Sequence, residues 1–215
     1  MTRITLLLAL LLLALPTAAR AEIRIVAVGD SSFRGGPSMT NPDGALPARL
    51  QLALRAKGHA VAVANAGING EKSWETLRRL DYAVPQGTHI ALVSVGGNDI
   101  VYQHAGRGQV TARIKEIVER LRARNIEVLV FRLGGRDAQD TAEAETRDLQ
   151  SLGAYVKPPM QSGGLLQRKD LHVEKTWEPQ TTLWHLNREG NDIVVDRILP
   201  TMETIIAKLH ARGID

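Results

Sequence analysis

Ser31 is the first residue of this chain placed to do chemistry. It stands two residues past Gly29 in the stretch Arg24-Ile25-Val26-Ala27-Val28-Gly29-Asp30-Ser31-Ser32. The front half of that stretch is a short apolar run rich in β-branched residues, which reads as a buried strand. A hydroxyl at the carboxyl end of such a strand is held rigidly and stays open to a substrate, because ligands bind outside strand ends in open α/β sheets. Gly, Asp and Ser are also ordinary turn residues, so Ser31 alone decides nothing. Other chemistries fall away more cleanly. The chain contains no Cys, which removes thiol nucleophiles, disulfides and every Cys-based metal site. His59, His89, His104, His172 and His210 show no H-E-x-x-H or comparable ligand spacing, so no metal is expected. Gly29 opens neither G-x-G-x-x-G nor G-x-S-x-G, so neither a dinucleotide cofactor nor the α/β-hydrolase elbow is expected.

The elements that must hold Ser31 alternate. After a Gly- and Pro-rich loop over 33–44, a helix is expected from about Leu46 to Lys57, with Leu46, Leu50, Ala53 and Leu54 on one face, Pro47 in the first turn and Gly58 just past the end. A strand follows from His59 to Ala64 and leads into Asn65-Ala66-Gly67-Ile68-Asn69-Gly70. A short helix burying Trp74, Leu77 and Leu80 comes next, then a strand over Ile90–Val95 closed by Gly96-Gly97-Asn98-Asp99. Val110, Ile114, Ile117, Val118 and Leu121 have helical spacing within Gln109–Arg124. Ile126–Phe131 is a fourth strand, ending at Gly134-Gly135. Residues 150–181 carry no clear period and read as a long excursion, with one short strand near Leu171. A last helix is expected from Glu189, with Pro200 kinking or restarting it before Met202, Ile205, Ile206 and Leu209. Strands alternating with helices, each strand ending in a Gly-rich turn, predict an α/β fold with a parallel sheet covered by helices on both faces. Gly29, Gly70 and Gly97 would then gather at one edge.

The first 21 residues lie outside that pattern. Arg3, the apolar run Ile4–Leu15, Pro16 and Ala19-Arg20-Ala21 fit a signal peptide with a small-x-small cleavage site. The run is short of the roughly 20 residues that span a bilayer, and an uncleaved anchor is the alternative. The expected mature chain is residues 22–215, one domain, exported to the periplasm or the extracellular space and without a stable membrane anchor. Of the 27 basic residues, Arg3 and Arg20 leave with the leader. The balance against 23 acidic residues is then slight and dispersed, so nucleic acid is not an expected partner.

Four pieces line up along this frame: Gly29-Asp30-Ser31-Ser32, Gly70 at the end of the second strand's turn, Gly97-Asn98-Asp99 after the third strand, and His185 in Leu183-Trp184-His185-Leu186-Asn187-Arg188-Glu189-Gly190 before the last helix. In order and spacing the chain resembles the SGNH/GDSL hydrolase superfamily, the esterases and lipases named for Ser, Gly, Asn and His. The resemblance covers nearly all of residues 22–215 and is weakest over 150–181. It implies a three-layer α/β/α sandwich with a central, mostly parallel sheet, the flavodoxin-like fold of that superfamily.

The resemblance also implies roles. Ser31 would be the nucleophile that forms an acyl-enzyme, with His185 as the base that takes its proton. Backbone N–H groups of Ser31 and Gly70, with the Asn98 amide, would receive the oxyanion. One departure matters. The family usually carries Asp three residues before the His, and here that position is Thr182. Either a backbone carbonyl orients His185, or another carboxylate does (Glu178 and Asp170 are nearest in sequence), or the domain binds without catalysing. The expected function is therefore an exported serine hydrolase acting on a small acyl ester or thioester, without cofactor. The alternatives are a catalytically weakened binding protein of the same fold, or an O-acyl transferase or deacetylase on envelope polysaccharide. Trp74, Trp177, Trp184 and Tyr102 fall near the expected active-edge loops and could line a pocket or pack a core. A second Gly-Asn-Asp, at 190–192, reads as coincidence.

Overall fold

The structure is a computed structural model and describes residues 22–35, 41–134, 138–173 and 185–214. The expected leader, Trp177, Glu178, Thr182 and Trp184 lie outside the described residues. Five parallel strands form one sheet in the order β2-β1-β3-β4-β5: β1 Ile23–Gly29, β2 Val61–Gly67, β3 Ile90–Ser94, β4 Glu127–Phe131 and β5 Tyr155–Lys157. β1 sits between β2 and β3, so the strand order reverses there. A crevice opens at such a reversal, outside the strands' carboxyl ends.

The helices are α1 Ser31–Arg34, α2 Leu46–Ala56, α3 Ser73–Arg78, α4 Leu80–Ala83, α5 Gly97–Gln103, α6 Arg107–Ala123, α7 Ala138–Ser151 and α8 Arg188–His210. Side-chain alternation along β1 divides the core into two layers. Ile23, Ile25 and Ala27 face Leu46, Leu50 and Leu54 of α2 and Val194, Ile198, Met202 and Ile205 of α8. Val26 and Val28 face the other way, onto Leu80 and onto Val110, Ile114, Ile117 and Leu121 of α6. A strand buried on both faces must be apolar throughout, and this is why Ile25–Val28 shows no polar interruption.

Several expectations are corrected. β2 runs three residues past Ala64, because Asn65, Ala66 and Gly67 stay in register with Ala27, Val28 and Gly29. Trp74 and Leu77 are only half-buried, while Ser73, Thr76 and Leu80 carry the burial. Among the described residues the short strand expected near Leu171 is reduced to a 3-10 turn, Lys169–Leu171, followed by an antiparallel bridge between His172 and Leu186. α8 does not restart at Pro200 but runs through it as one helix. Proline deletes one helical N–H there at an exposed position, while Ile198, Met202, Ile205 and Ile206 hold both halves to the sheet. α7 and β5 were not expected. α7 is polar along most of its length and buries Leu149 and Glu145, and β5 has three residues, too few to show a period.

Candidate active site

Gly29 makes the strand-to-loop junction possible. It has φ +147°, and a Cβ there would lie 1.9 Å from the Ser94 carbonyl oxygen of β3. Only glycine lets β1 and β3 close up at this point. Asp30 then caps α1, its Oδ1 accepting from Ser32 N–H at 2.8 Å. Ser31 is the first helical residue and half-buried. Its own N–H makes no hydrogen bond among the described residues, as expected for a first-turn amide. Burial pushes the Asp30 carboxyl up to about 6, helped by the negative charges of Glu71 and Asp99 and opposed by the Ser32 hydrogen bonds.

Gly70 lies at the end of the adjacent strand's turn. The Ile68 N–H donates to the Gly29 carbonyl at 2.9 Å, and Glu71 N–H closes the turn on Ile68 O at 3.2 Å. Gly70 has φ +77° with nothing within 4 Å of a built Cβ. The backbone angle, not crowding within the chain, therefore selects glycine here. The Gly70 N–H also has no partner among the described residues.

Asn98 is the second residue of α5, and its Nδ2 donates to the Glu71 carbonyl at 2.8 Å. One amide hydrogen is thereby used and the other left uncommitted. Ser31, Gly70 and Asn98 thus follow three adjacent strands at their carboxyl edge, with Glu71 linking the last two.

His185 reaches the same edge from the other direction. Lys208 Nζ in the last turn of α8 and Arg212 Nη1 just past its end bind Glu127 at 3.0 and 2.7 Å. Glu127 begins β4, so the tail lies at the opposite, amino edge of the sheet. Running back, α8 spans about 34 Å at 1.5 Å per residue, which carries its start to the edge of Ser31. There Asn191 Nδ2 donates to Gly44 O at 2.9 Å and Arg49 pairs with Asp192. His185 precedes that start by three residues, with its carbonyl accepting from Val173 N–H at 2.9 Å. The second Gly-Asn-Asp therefore has structural work: a Cβ on Gly190 would lie 2.6 Å from Leu171 O.

A buried polar layer that spacing did not reveal supports this edge. Glu71 is almost fully buried and accepts from Thr76 Oγ1 at 2.7 Å and from Arg79, whose Nη2 also reaches Ala66 O at 2.8 Å. Asp99, fully buried, accepts from Ser73 N–H at 2.8 Å, Ser73 Oγ at 2.6 Å and Arg113 at 3.1 Å. The signal available in the sequence was position, an acid directly after Gly70 and another directly after Asn98. Of the carboxylates considered for His185, Asp170 is occupied by Arg168 in a two-pronged pair at 2.9 and 2.6 Å, which holds its carboxyl below the usual range. Among the described residues no cluster of three or more His, Asp or Glu side chains is arranged to hold a metal.

A family model for GDSL-like lipases and acylhydrolases matches residues 27–193, an interval that takes in Ser31, Gly70, Asn98 and His185. This chain belongs to that family. No curated protein sequence matches it. Among solved structures, the GDSL-like chain is similar to the psychrotrophic esterase EstA from Pseudoalteromonas sp., at 18% identity and TM-score 0.70, covering 86% of this chain and 100% of that one. It is also similar to TesA, at 18% identity and TM-score 0.66, covering 85% and 99%. The SGNH-hydrolase family esterase AlinE4 matches at 22% identity and TM-score 0.64, covering 85% and 96%. At these identities the likenesses establish the fold, the α/β sandwich expected from the sequence.

Proposed function

We propose that this GDSL-family chain is an exported serine ester hydrolase. The observation that carries the reading is the set of donors at the carboxyl edge of β1, β2 and β3: the uncommitted N–H groups of Ser31 and Gly70 and the anchored amide of Asn98. Ser31 Oγ attacks the ester carbonyl carbon as His185 takes its proton. The negative charge that moves onto the carbonyl oxygen is received by these donors, which are fixed before the reaction starts and cost no reorganisation. The intermediate collapses by expelling the alcohol, protonated by His185, and leaves the acyl group on Ser31. Water, deprotonated by the same imidazole, releases the acid and restores Ser31.

A second reading, a binding protein of the same fold, is favoured by Thr182 at the position where the family usually places Asp. Covalent labelling by a fluorophosphonate together with p-nitrophenyl acetate turnover separates the two. The expected result is labelling and turnover by the native chain and neither by Ser31→Ala with its melting temperature retained. A native chain that folds and takes no label would be a binder. Export is tested by the amino terminus of the secreted or periplasmic protein, expected at Glu22; a mature protein that still begins at Met1 would refute it.

A further inference from the structure

The turn bearing Gly70 forms one wall of an open cavity of about 560 Å³, within the range of small-molecule sites, about 300–1,000 Å³. The rest of its lining comes from the same turn and from α3. Ile68 is 48% exposed there, and Trp74 adds an aromatic face. The charged groups of the lining are Lys72, Arg78, Arg79, Glu71 and Glu75. Four of them cancel in pairs. Arg79 is bound to buried Glu71, and Lys72 Nζ lies 3.5 Å from Glu75, which also accepts from the Lys72 N–H at 2.9 Å.

Arg78 is the cation left over. Its guanidinium lies 5.7 Å from the Trp74 ring centroid, one helical turn away, and has no carboxylate partner among the described residues. Stacking on an indole orients the planar fork without using its N–H donors. The cavity therefore offers an apolar wall beside Gly70, one of the proposed oxyanion donors, and a pre-oriented, uncompensated guanidinium.

Resting on the ester-hydrolase reading of the adjoining site, we propose that this cavity selects esters that carry an anionic group, a carboxylate or a phosphate, on a short apolar stem, with Arg78 as the residue that recognises the anion. Two parallel N–H···O bonds to a planar carboxylate suit the fork, and charge-assisted bonds of this kind are stronger than neutral ones. A neutral ester fills the same wall and leaves the guanidinium to water.

The test measures binding apart from turnover. Ser31→Ala protein is titrated, by isothermal calorimetry, with mono-methyl glutarate, with a methyl ester ending in phosphate, and with the neutral methyl pentanoate. The expected result is at least about tenfold tighter binding of one or both anions than of the neutral ester. That margin should shrink toward one in Ser31→Ala/Arg78→Gln, fall below one in Ser31→Ala/Arg78→Glu, and weaken with added salt. Preference for glutarate alone, or for the phosphate alone, identifies which oxyanion the site takes. Equal affinity for the neutral and anionic esters, or a preference that survives both Arg78 substitutions, overturns the proposal. The hydrolase reading is judged separately by fluorophosphonate labelling of the native chain, so a labelled enzyme without anion preference refutes this inference alone.

Discussion

The Asn98 side-chain amide donates to the Glu71 carbonyl at 2.8 Å, so the amide proposed as the third oxyanion donor is tied to the residue that follows the second. The two donors cannot drift independently. Glu71 is in turn held from below by Arg79 and Thr76, which makes the Gly70 turn and the start of α5 one rigid unit.

Asn98→Ala should lower kcat by about 10²–10³ with a smaller change in KM, the usual cost of one oxyanion donor. The measurement is steady-state hydrolysis of p-nitrophenyl acetate. A loss confined to KM would remove Asn98 from the transition state.

Glu71→Gln leaves Arg79 half-satisfied under the turn. It should cost about 1–3 kcal/mol of stability, read in urea melts. It should also lower kcat more than it changes KM, because the Glu71 carboxylate is engaged by Arg79 and Thr76 and acts through Gly70 and Asn98. Glu71→Ala with Arg79→Ala should restore part of the stability and none of the activity.

The pH dependence of stability should carry a mark of Asp30. Its folded carboxyl is pushed up to about 6 from 3.8, so the folded chain holds this proton more tightly than the unfolded one. The stability it contributes is complete below the unfolded value and is lost as pH rises through about 6, by about 3 kcal/mol at 1.36 kcal/mol per pH unit. Asp30→Asn keeps an oxygen to cap Ser32 and cannot ionise. Its stability relative to the native chain should therefore climb between about pH 4 and pH 6 and level off above. A constant difference across that window would contradict the burial argument.

Asp170→Asn should cost less than about tenfold in kcat, since the Asp170 carboxylate is committed to Arg168. Thr182→Asp restores the family's usual residue three before His185 and should preserve or raise activity. Glu178→Gln is the remaining comparison: a loss on the order of 10³–10⁴ would identify Glu178 as the orienting acid. A large loss in Thr182→Asp with folding retained would place His185 itself in doubt.

The parallel sheet was legible because the inner stretches Ile25–Val28, Ile90–Val93 and Val128–Phe131 are buried on both faces and therefore apolar, and a glycine follows each within a few residues. The polar residues at their ends were legible as blocks, since loop chemistry at a strand end follows local spacing. What sequence could not show was where charge is buried. Glu71, Asp99 and Glu127 look like ordinary surface acids in one dimension, and only the fold brings Arg79, Arg113 and the Arg122–Lys208–Arg212 group onto them. Burial works to raise the Glu127 carboxyl, but the Lys208 hydrogen bond and these positive charges outweigh it and hold it below its usual value. α7 stayed hidden for the opposite reason, its few inward residues being too sparse to set a helical period.

The clasp between Glu127 and the tail of α8 also bears on how this chain can change length. With the tail fixed to one edge of the sheet and Asn191 and Asp192 fixed at the other, the helix between them acts as a gauge block for the position of His185. A substitution on its outer face leaves the gauge unchanged. One residue inserted or removed between Val194 and Lys208 shifts the upper end by about 1.5 Å and turns it by about 100°, swinging Asn191 away from Gly44 and Asp192 away from Arg49. Length variation among working relatives should therefore collect in the loops that flank α8 and spare its span, and an indel scan across 194–208 should abolish activity at positions where point substitutions are silent.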